Sequence, residues 1–128
     1  LLAARYAASV ICSDYMPASL EFTRRSAVIN QLTNMECRCL DWNVSGEIPT
    51  TDIVLMSDVN YDPAEFEILF RLLTRLLQNG SRLILSTPQR IMGKSFIERL
   101  LSFCKEQQTI PVAYDQAVKE IFIMQIKH

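Results

Sequence analysis

Acidic residues close three apolar segments of the chain, at points where buried strands would end. They are Asp14, Asp41 and Asp58. Because the carboxyl ends of parallel strands share one edge of a sheet, these carboxylates are expected to converge on one crevice. There they could accept hydrogen bonds from ribose hydroxyls, and Asp41 beside Trp42 could accept from an adenine amino group. Together the three positions predict a nucleotide-binding edge, although each alone also fits an ordinary strand end or helix cap.

The most informative stretch runs from Asp52 to Pro63 and reads DIVLMSDVNYDP. Its apolar run, Ile53–Met56, has no polar alternation, which predicts a strand covered on both faces. Asp62-Pro63 predicts the start of a helix, with aspartate as the N-cap and proline at the first helical position. Asp58 and Tyr61 therefore lie at the carboxyl end of a strand, where ligands bind in open α/β sheets. The alternative is a solvated loop that joins two core elements.

Strand and helix patterns alternate along the chain. Strands are predicted at Ser9–Ser13, Met35–Leu40, Ile53–Met56, Arg82–Ser86, Ile110–Tyr114 and Glu120–Ile126. Helices are predicted to begin at Pro17, Pro63 and Ser95, the last with capping-box spacing to Glu98. The last two strands are close in sequence and should form an antiparallel pair. The fold class is α/β, with a Rossmann-like, three-layer, mostly parallel sheet and a C-terminal antiparallel hairpin.

Apolar positions at helical spacing predict which side chains face the core. Residues 1–8 resemble the tail of a helix, and the helix from Pro17 is expected to bury Leu20, Ala27, Val28 and Leu32. The clearest helix is expected to bury Phe66, Leu69, Phe70, Leu73, Leu76 and Leu77 and to end at Gly80. The last helix is expected to bury Phe96, Ile97, Leu100, Leu101 and Cys104.

Composition favours one ordinary globular domain. The chain has 128 residues, 49% of them hydrophobic, and a net charge of −1. This charge gives no electrostatic reason to expect a nucleic acid or an anionic membrane as a partner. No apolar run approaches the roughly 20 residues of a membrane span, and no secretion signal is visible. We therefore expect a cytoplasmic protein.

Four cysteines are spread over the predicted elements. Cys12, Cys37 and Cys39 lie in predicted strands, and Cys104 lies on the apolar face of the last helix. The spacing of Cys37 and Cys39 is wrong for the usual zinc site, and the single histidine, His128, is the last residue. Buried, reduced thiols and no metal site are expected.

The combined motifs resemble the class I S-adenosylmethionine-dependent methyltransferases, which have a seven-strand fold. They are most similar to the branch of protein lysine methyltransferases of the methyltransferase-16 type. The matching segments are Val10–Tyr15, with Asn30 closing the next helix, Leu40–Asn43, and Asp52–Pro63, which contains the Asp-x-x-Tyr signature. The resemblance covers nearly the whole chain in the right order.

This resemblance implies S-adenosylmethionine as the cofactor and assigns residues to it. Asp14, with Tyr15 beside it, would hold the ribose hydroxyls. Asp41 and Trp42 would frame the adenine, and Ser57 would lie beside the methionine portion.

The same resemblance places Asp58 and Tyr61 in the acceptor pocket and implies a protein lysine as the acceptor. Methyl transfer is an in-line displacement, so positioning of the amine contributes more than acid–base chemistry. Asp58 can orient the amine and receive its proton through water. The ring of Tyr61 suits a cationic or methylated ammonium, unless it only packs the strand–helix corner.

One part of the family pattern is missing. The first strand and its Gly-rich loop are absent, because Gly46, Gly80 and Gly93 are the only glycines and none lies in a G-x-G run. In the family's strand order, 3-2-1-4-5-7-6, the missing strand is the central one. We expect residues 1–128 to be an N-terminally truncated single domain, in which re-pairing or a partner fills the gap.

Three other functions remain open. The acceptor could be a small-molecule amine, or the chain could be a non-catalytic, truncated module that binds or assembles. Another nucleotide-binding α/β enzyme, such as a reductase, is less favoured, because the Leu40-Asp41-Trp42 and Asp58-x-x-Tyr61 elements have no role there.

Overall fold

The computed structural model describes residues 1–43, 48–88, 93–115 and 117–127. The chain divides into two compact units, Leu1–Ser45 (unit 1) and Gly46–His128 (unit 2), and each is described by itself. The interpretation of residues 1–128 as one truncated domain stays a prediction. Gly46 and His128 lie outside the described residues.

Unit 1 is a parallel pair of strands with one helix against it. Its elements are a 3-10 helix at Leu2–Arg5, β1 at Val10–Asp14, α1 at Pro17–Ile29 and β2 at Met35–Cys39. In the register of β1 and β2, Asp14 lies opposite Cys39. The N-terminal turn is 3-10 rather than the predicted α-helical tail, in keeping with its length of four residues. Asn34 fastens it to the strands, because its Nδ2 donates to the carbonyls of Ala4 and Ala7, at 2.9 Å each.

The buried face of α1 is narrower than predicted. Leu20 and Ala27 are buried, as expected, and Leu32 is half-buried beyond the end of the helix. Val28 is 78% exposed, so its predicted inward position is wrong. It follows Ala27 by one residue, which turns it about 100° around the helix axis and away from the buried face. Asn30 caps the helix, at the position that the resemblance requires.

Unit 2 contains a mixed sheet with the strand order β3-β4-β6-β5. Its strands are β3 at Ile53–Ser57, β4 at Arg82–Pro88, β5 at Cys104–Tyr114 and β6 at Ala117–Ile126. Its helices are α2 at Phe66–Gln78 and α3 at Lys94–Leu100. A 3-10 turn at Pro63–Glu65 precedes α2, and another at Leu101–Phe103 follows α3. β3 and β4 are parallel, and β6 is antiparallel to β4 and β5. The α/β class and the closing antiparallel hairpin are therefore confirmed.

The core of unit 2 forms where α2 packs against β4. The buried side chains are Phe66, Leu69, Leu72, Leu73, Leu76 and Leu77 from α2, Leu83 and Leu85 from β4, Phe96 and Leu100 from α3, and Met124 and Ile126 from β6. The predicted face of α2 is confirmed apart from Phe70, which is half-buried, and Leu72 joins it. The rings of Phe66 and Phe96 lie 5.2 Å apart and join α2 to α3. Gly80 follows the C-terminal end of α2 with a φ of +88°, as predicted.

One sequence prediction is wrong at the margin of the sheet of unit 2. β3 is one of the two edge strands, and Ile53 and Leu55 are 52% and 58% exposed, so the strand is not covered on both faces as predicted. Alternate side chains of a strand point to opposite faces, so both residues lie on the same open face.

The predicted capping box does not form. α3 begins after Gly93 without a side-chain cap, and Ser95 lies inside its first turn. The helix ends at Leu100, and Leu101, which was expected inside, is 44% exposed. Cys104 begins β5 instead of extending the helix, because it pairs with Ile126.

The cysteines are free thiols, and none of the four is buried. Cys12 lies opposite Cys37 on the neighbouring strand, both half-buried, whereas Cys39 is exposed. The described residues contain no group of three or more His, Cys, Asp or Glu side chains arranged to hold a metal ion. Among the same residues, no helix combines the length and the apolar character needed to cross a membrane.

Candidate functional site

Asp14 closes β1 at the carboxyl edge of the parallel pair in unit 1. Its carboxylate Oδ1 accepts from the Met16 backbone N–H at 2.8 Å, which forms the turn into α1. Its carbonyl oxygen accepts from the Leu40 N–H at 3.0 Å and ties this turn to the end of β2. Tyr15 is 65% exposed beside it. The half-buried Asp14 carboxylate is thus fixed at the strand end, as the sequence predicts.

Asp41 follows β2 at the same edge and forms a similar turn. Its Oδ1 accepts from the Asn43 backbone N–H at 2.8 Å and from Asn43 Nδ2 at 3.1 Å. Asp41 is exposed, and Trp42 is half-buried. Since Leu40 is bonded to Asp14, unit 1 brings the two carboxylates to one edge, with an aromatic ring beside the second.

In unit 2, hydroxyl groups lie side by side at the end of β3. Ser57 pairs with Ser86 of β4, and the Ser86 hydroxyl donates to the Ser57 hydroxyl at 3.2 Å. The Asp58 backbone N–H donates to the Ser86 carbonyl at 2.8 Å, so the parallel pairing continues one residue past the strand. This fastens the start of the following turn to β4.

Asp58 itself has an unusual backbone conformation. Its φ is +52°, in the left-handed region that few residues other than glycine adopt, with aspartate and asparagine the more frequent exceptions. Such conformations persist where the surrounding structure fixes them, and they concentrate at functional sites. The bond from Asp58 to Ser86 supplies one such constraint, and the Asp62 cap supplies another, because Asp62 Oδ1 accepts from the Ala64 N–H at 2.9 Å. The residues between these anchors form the acidic turn, Asp58–Asp62.

Two side chains of the acidic turn have opposite environments. Tyr61 is 60% exposed and offers its ring to solvent, whereas Asn60 is only 2% exposed. Asn60 packs against Gly93: a Cβ built on Gly93 would meet Asn60 Nδ2 at 2.5 Å and the Asn60 carbonyl oxygen at 3.1 Å. Within the described residues, the buried Asn60 Oδ1 has no hydrogen-bond partner.

Sequence reasoning missed Asn60 and Gly93. Asn60 was visible inside the Asp-x-x-Tyr motif, but an asparagine there has no distinctive spacing. Gly93 precedes a predicted helix and resembles any loop glycine. Only the fold shows that the Asn60 side-chain amide lies too close to Gly93 to leave room for a Cβ there.

A surface ion pair lies just beyond the acidic turn. Arg99 of α3 donates to Glu67 of α2, with Arg99 Nη2 at 2.8 Å from Glu67 Oε1. The hydrogen bonds from Arg99 lower the pKa of Glu67 below its ordinary value. The guanidinium also lies over the Phe70 ring, 4.1 Å from its centroid. The pair joins α3 to the first turn of the helix that follows the acidic turn.

The structure therefore places the candidate residues in two groups. Asp14, Tyr15, Asp41 and Trp42 lie at the edge of unit 1, and Ser57, Asp58 and Tyr61 lie at the carboxyl end of β3 in unit 2. Within each group the predicted residues are neighbours.

Comparisons with known proteins agree on one family. The family model described as "Lysine methyltransferase" (Methyltransf_16) matches residues 1–103. Human "Histone-arginine methyltransferase METTL23" is 31% identical over 108 residues, which are 79% of this chain and 57% of the relative. The Xenopus laevis protein of the same name is 40% identical over 73 residues, or 52% of this chain and 31% of the relative. The chain thus spans between about a third and somewhat over half of the length of these relatives.

Solved structures show the same fold at low identity. An rRNA methylase from Streptococcus thermophilus has a TM-score of 0.64 at 13% identity, covering 97% of this chain and 76% of that protein. The N-methyltransferase NodS from Bradyrhizobium japonicum, solved in complex with S-adenosyl-L-homocysteine, has a TM-score of 0.66 at 12% identity, covering 94% and 67%.

Proposed function

The chain belongs to the lysine methyltransferase family, and from this we propose that the protein transfers a methyl group from S-adenosylmethionine to a nitrogen of a basic protein side chain. The acidic turn carries this proposal. It holds the half-buried Asp58 and the exposed Tyr61 ring at the carboxyl end of β3, and Asp58 has a left-handed backbone conformation. A carboxylate and an aromatic face both attract a cationic acceptor.

The cofactor residues that we propose are Asp14, Tyr15, Asp41, Trp42 and Ser57. Asp14 and Asp41 both fit a ligand with hydroxyl and amino donors. In each, Oδ1 accepts a backbone N–H within its turn, and Oδ2 would accept from the ligand. The half-buried Trp42 offers apolar surface beside Asp41 for an adenine ring. When bound, S-adenosylmethionine supplies an electrophilic methyl group on a positively charged sulfur.

Asp58 and Tyr61 act on the acceptor. The carboxylate accepts a hydrogen bond from the acceptor nitrogen. This bond orients the nitrogen so that the nitrogen lone pair points toward the methyl group. The nitrogen that takes the methyl group from the cofactor sulfur gives up one proton, before the attack for lysine and as the N–C bond forms for arginine, and Asp58 would take this proton directly or through one water. Tyr61 holds the cationic side chain against its ring, at an exposed position where such contacts contribute about 0.5–1 kcal/mol.

Lysine and arginine make different demands on this pocket. The family description favours lysine, whose ammonium must lose a proton, at an ordinary pKa of about 10.4, before it can attack. The printed names of the relatives favour arginine as the second candidate. A guanidinium would form a planar, two-bond contact with the Asp58 carboxylate and would lose its proton only as the N–C bond forms.

Two measurements on the whole protein test the proposal. Calorimetric titration with S-adenosylhomocysteine tests the cofactor, and saturable binding is expected. Methyl transfer is then measured with peptides that differ only in one lysine or arginine, and with butylamine as a small acceptor. Transfer to either peptide supports the proposal, and transfer to butylamine alone assigns a small-molecule acceptor.

Variants of the acidic turn complete the test. Asp58→Ala should abolish most transfer while leaving S-adenosylhomocysteine binding intact, and Tyr61→Phe should retain more activity because it keeps the ring. If the protein binds S-adenosylhomocysteine but transfers no methyl group to any acceptor, it is a non-catalytic module. Absence of binding by the folded protein would overturn the methyltransferase proposal.

A further inference from the structure

The hairpin of β5 and β6 projects beyond the rest of its sheet. β6 pairs with β4 as far as Ile121, which lies opposite Pro88, the last residue of β4. Ala117–Glu120 continue past that point and still pair with Pro111–Tyr114 of β5. These two segments are the hairpin tip. At about 3.4 Å per residue, the tip extends roughly 14 Å past the end of β4.

The hairpin tip points toward the edge of unit 2 that carries the acidic turn. β3 is parallel to β4, with Ser57 opposite Ser86, so Asp58 leaves β3 at the same end of the sheet at which β4 ends. In the order β3-β4-β6-β5, the tip strands lie two and three positions from β3. With strands about 4.8 Å apart, this is roughly 10–14 Å to the side. Combined with the projection, the distance from Asp58 to the tip is about 15–20 Å.

The composition of β5 changes near the point where the hairpin tip begins. Its first part is polar, with the sequence KEQQT at Lys105–Thr109, and its last part is apolar, with IPVAY at Ile110–Tyr114. The apolar side chains on one face of β5 are open to solvent, with exposed fractions of 39% for Ile110, 43% for Val112 and 67% for Tyr114. Val118 of β6 is 70% exposed but lies opposite Ala113, and therefore on the other face of the hairpin. Clustered exposed apolar side chains mark interaction surfaces more often than isolated ones do.

The same segment is protected against pairing with another strand. Pro111 lies on the edge strand β5 and has no N–H to donate. The Lys119 ammonium lies 5.5 Å from the centroid of the Tyr114 ring and adds a charge to the tip. A partner would therefore contact side chains of the tip rather than extend the sheet.

We propose that the hairpin tip binds the protein acceptor through an apolar residue that lies five or six positions from the residue to be methylated. This inference rests on the proposed function. An extended peptide advances about 3.3 Å per residue, so five or six residues span the 15–20 Å between the acidic turn and the tip. The acidic turn, with Asp58 and Asp62, would attract a basic residue of the acceptor, and the apolar tip would bind an apolar one. The acceptor segment therefore carries the two residues five or six positions apart.

Peptide acceptors test this spacing in the whole protein. The first probe has one lysine or arginine with leucine five residues away on each side, separated by glycine and serine. The second has the leucines two residues away, and the third is a blocked Gly-Lys-Gly or Gly-Arg-Gly tripeptide. The wild type is expected to show a KM about tenfold lower for the first probe than for the other two, as burial of one leucine side chain allows.

Variants of the hairpin tip supply the second arm of the test. Val112→Thr and Tyr114→Thr combined should raise the KM of the first probe about tenfold and leave that of the tripeptide unchanged. Gln107→Thr with Gln108→Thr, on the polar part of β5, is the matched control and should change neither. If the double variant does not fold, Tyr114→Thr alone should give a smaller change in the same direction.

The outcomes separate this inference from the proposed function. A wild type that methylates all three probes with equal KM overturns the inference and leaves the proposed function standing. A wild type that methylates none of them, nor any other basic peptide, overturns both. Tip variants that change the oligomeric state in size-exclusion chromatography, without changing KM, assign the tip to self-association and also overturn the inference.

Discussion

Gly93 lies so close to Asn60 that a Cβ on residue 93 would be 2.5 Å from Asn60 Nδ2 and 3.1 Å from its carbonyl oxygen. The first distance is shorter than real Cβ contacts, so a side chain at residue 93 would require the buried Asn60 amide to move. Asn60 is 2% exposed and occupies the middle of the turn whose ends are fixed at Ser86 and Ala64. This packing holds the backbone of the acidic turn in place, and with it Asp58 and Tyr61.

Gly93→Ala should destabilise the protein by about 1–3 kcal/mol, the range for overpacking a tightly packed site. Denaturant unfolding measures this loss. The double variant Gly93→Ala with Asn60→Ala removes the amide that the new methyl group would meet, so its cost should be smaller than the sum of the two single costs. Strict additivity would show that the two residues do not interact.

Asp58→Asn should lower the rate of methyl transfer roughly 10²- to 10⁴-fold, the contribution of a positioned proton acceptor. Asparagine tolerates the left-handed conformation of Asp58, so the fold of the turn should persist. Asp62→Asn is the matched control, because it removes a carboxylate from the same turn but keeps the oxygen that caps Ala64. Single-turnover assays compare the two variants. Equal losses would show that the charge of the turn matters and not the position of Asp58.

Asp14→Asn should weaken binding of S-adenosylhomocysteine roughly 10- to 100-fold, because charged hydrogen bonds are worth about 1.5–3 kcal/mol. The amide oxygen can still accept from Met16, so the turn into α1 should be preserved. Glu21→Gln is the control in the same unit, since Glu21 lies on the exposed face of α1 beside Arg25. Calorimetry measures both dissociation constants. Equal affinities of the two variants would remove Asp14 from the cofactor site.

Glu67→Gln should change how stability depends on pH. Hydrogen bonds from Arg99 lower the pKa of Glu67 from its ordinary value of 4.5, so the folded state favours the carboxylate. The resulting stabilisation is fully present above the ordinary pKa and is lost as the pH falls through the lowered one. The difference in melting temperature between wild type and Glu67→Gln should therefore shrink below about pH 4.5.

Glu98→Gln serves as the control for this ion pair. It removes an exposed carboxylate from α3 whose ion pair with Lys94 is longer, at 3.9 Å. A pH dependence as large as that of Glu67→Gln would show that the effect comes from net charge and not from the contact with Arg99. High salt should reduce the Glu67 effect, because the pair is exposed.

Much of the fold could be predicted because its determinants are local. The apolar period of α2, the Asp62-Pro63 helix start and the left-handed Gly80 each depend on a few neighbouring residues, and the structure has all three. The candidate site followed from the same logic, since Asp14, Asp41 and Asp58 mark strand ends whether or not the strands' partners are known.

The sequence by itself determined the family, through the Leu40–Asn43 and Asp58-x-x-Tyr61 motifs, and the order of most strands and helices. Only the tertiary structure decided that Val28, Ile53 and Leu55 are exposed, that Cys104 begins a strand, and that Asn60 meets Gly93. The reason is physical. Periodicity and backbone sterics are written in adjacent residues, whereas burial and close approach depend on which distant segments pack together.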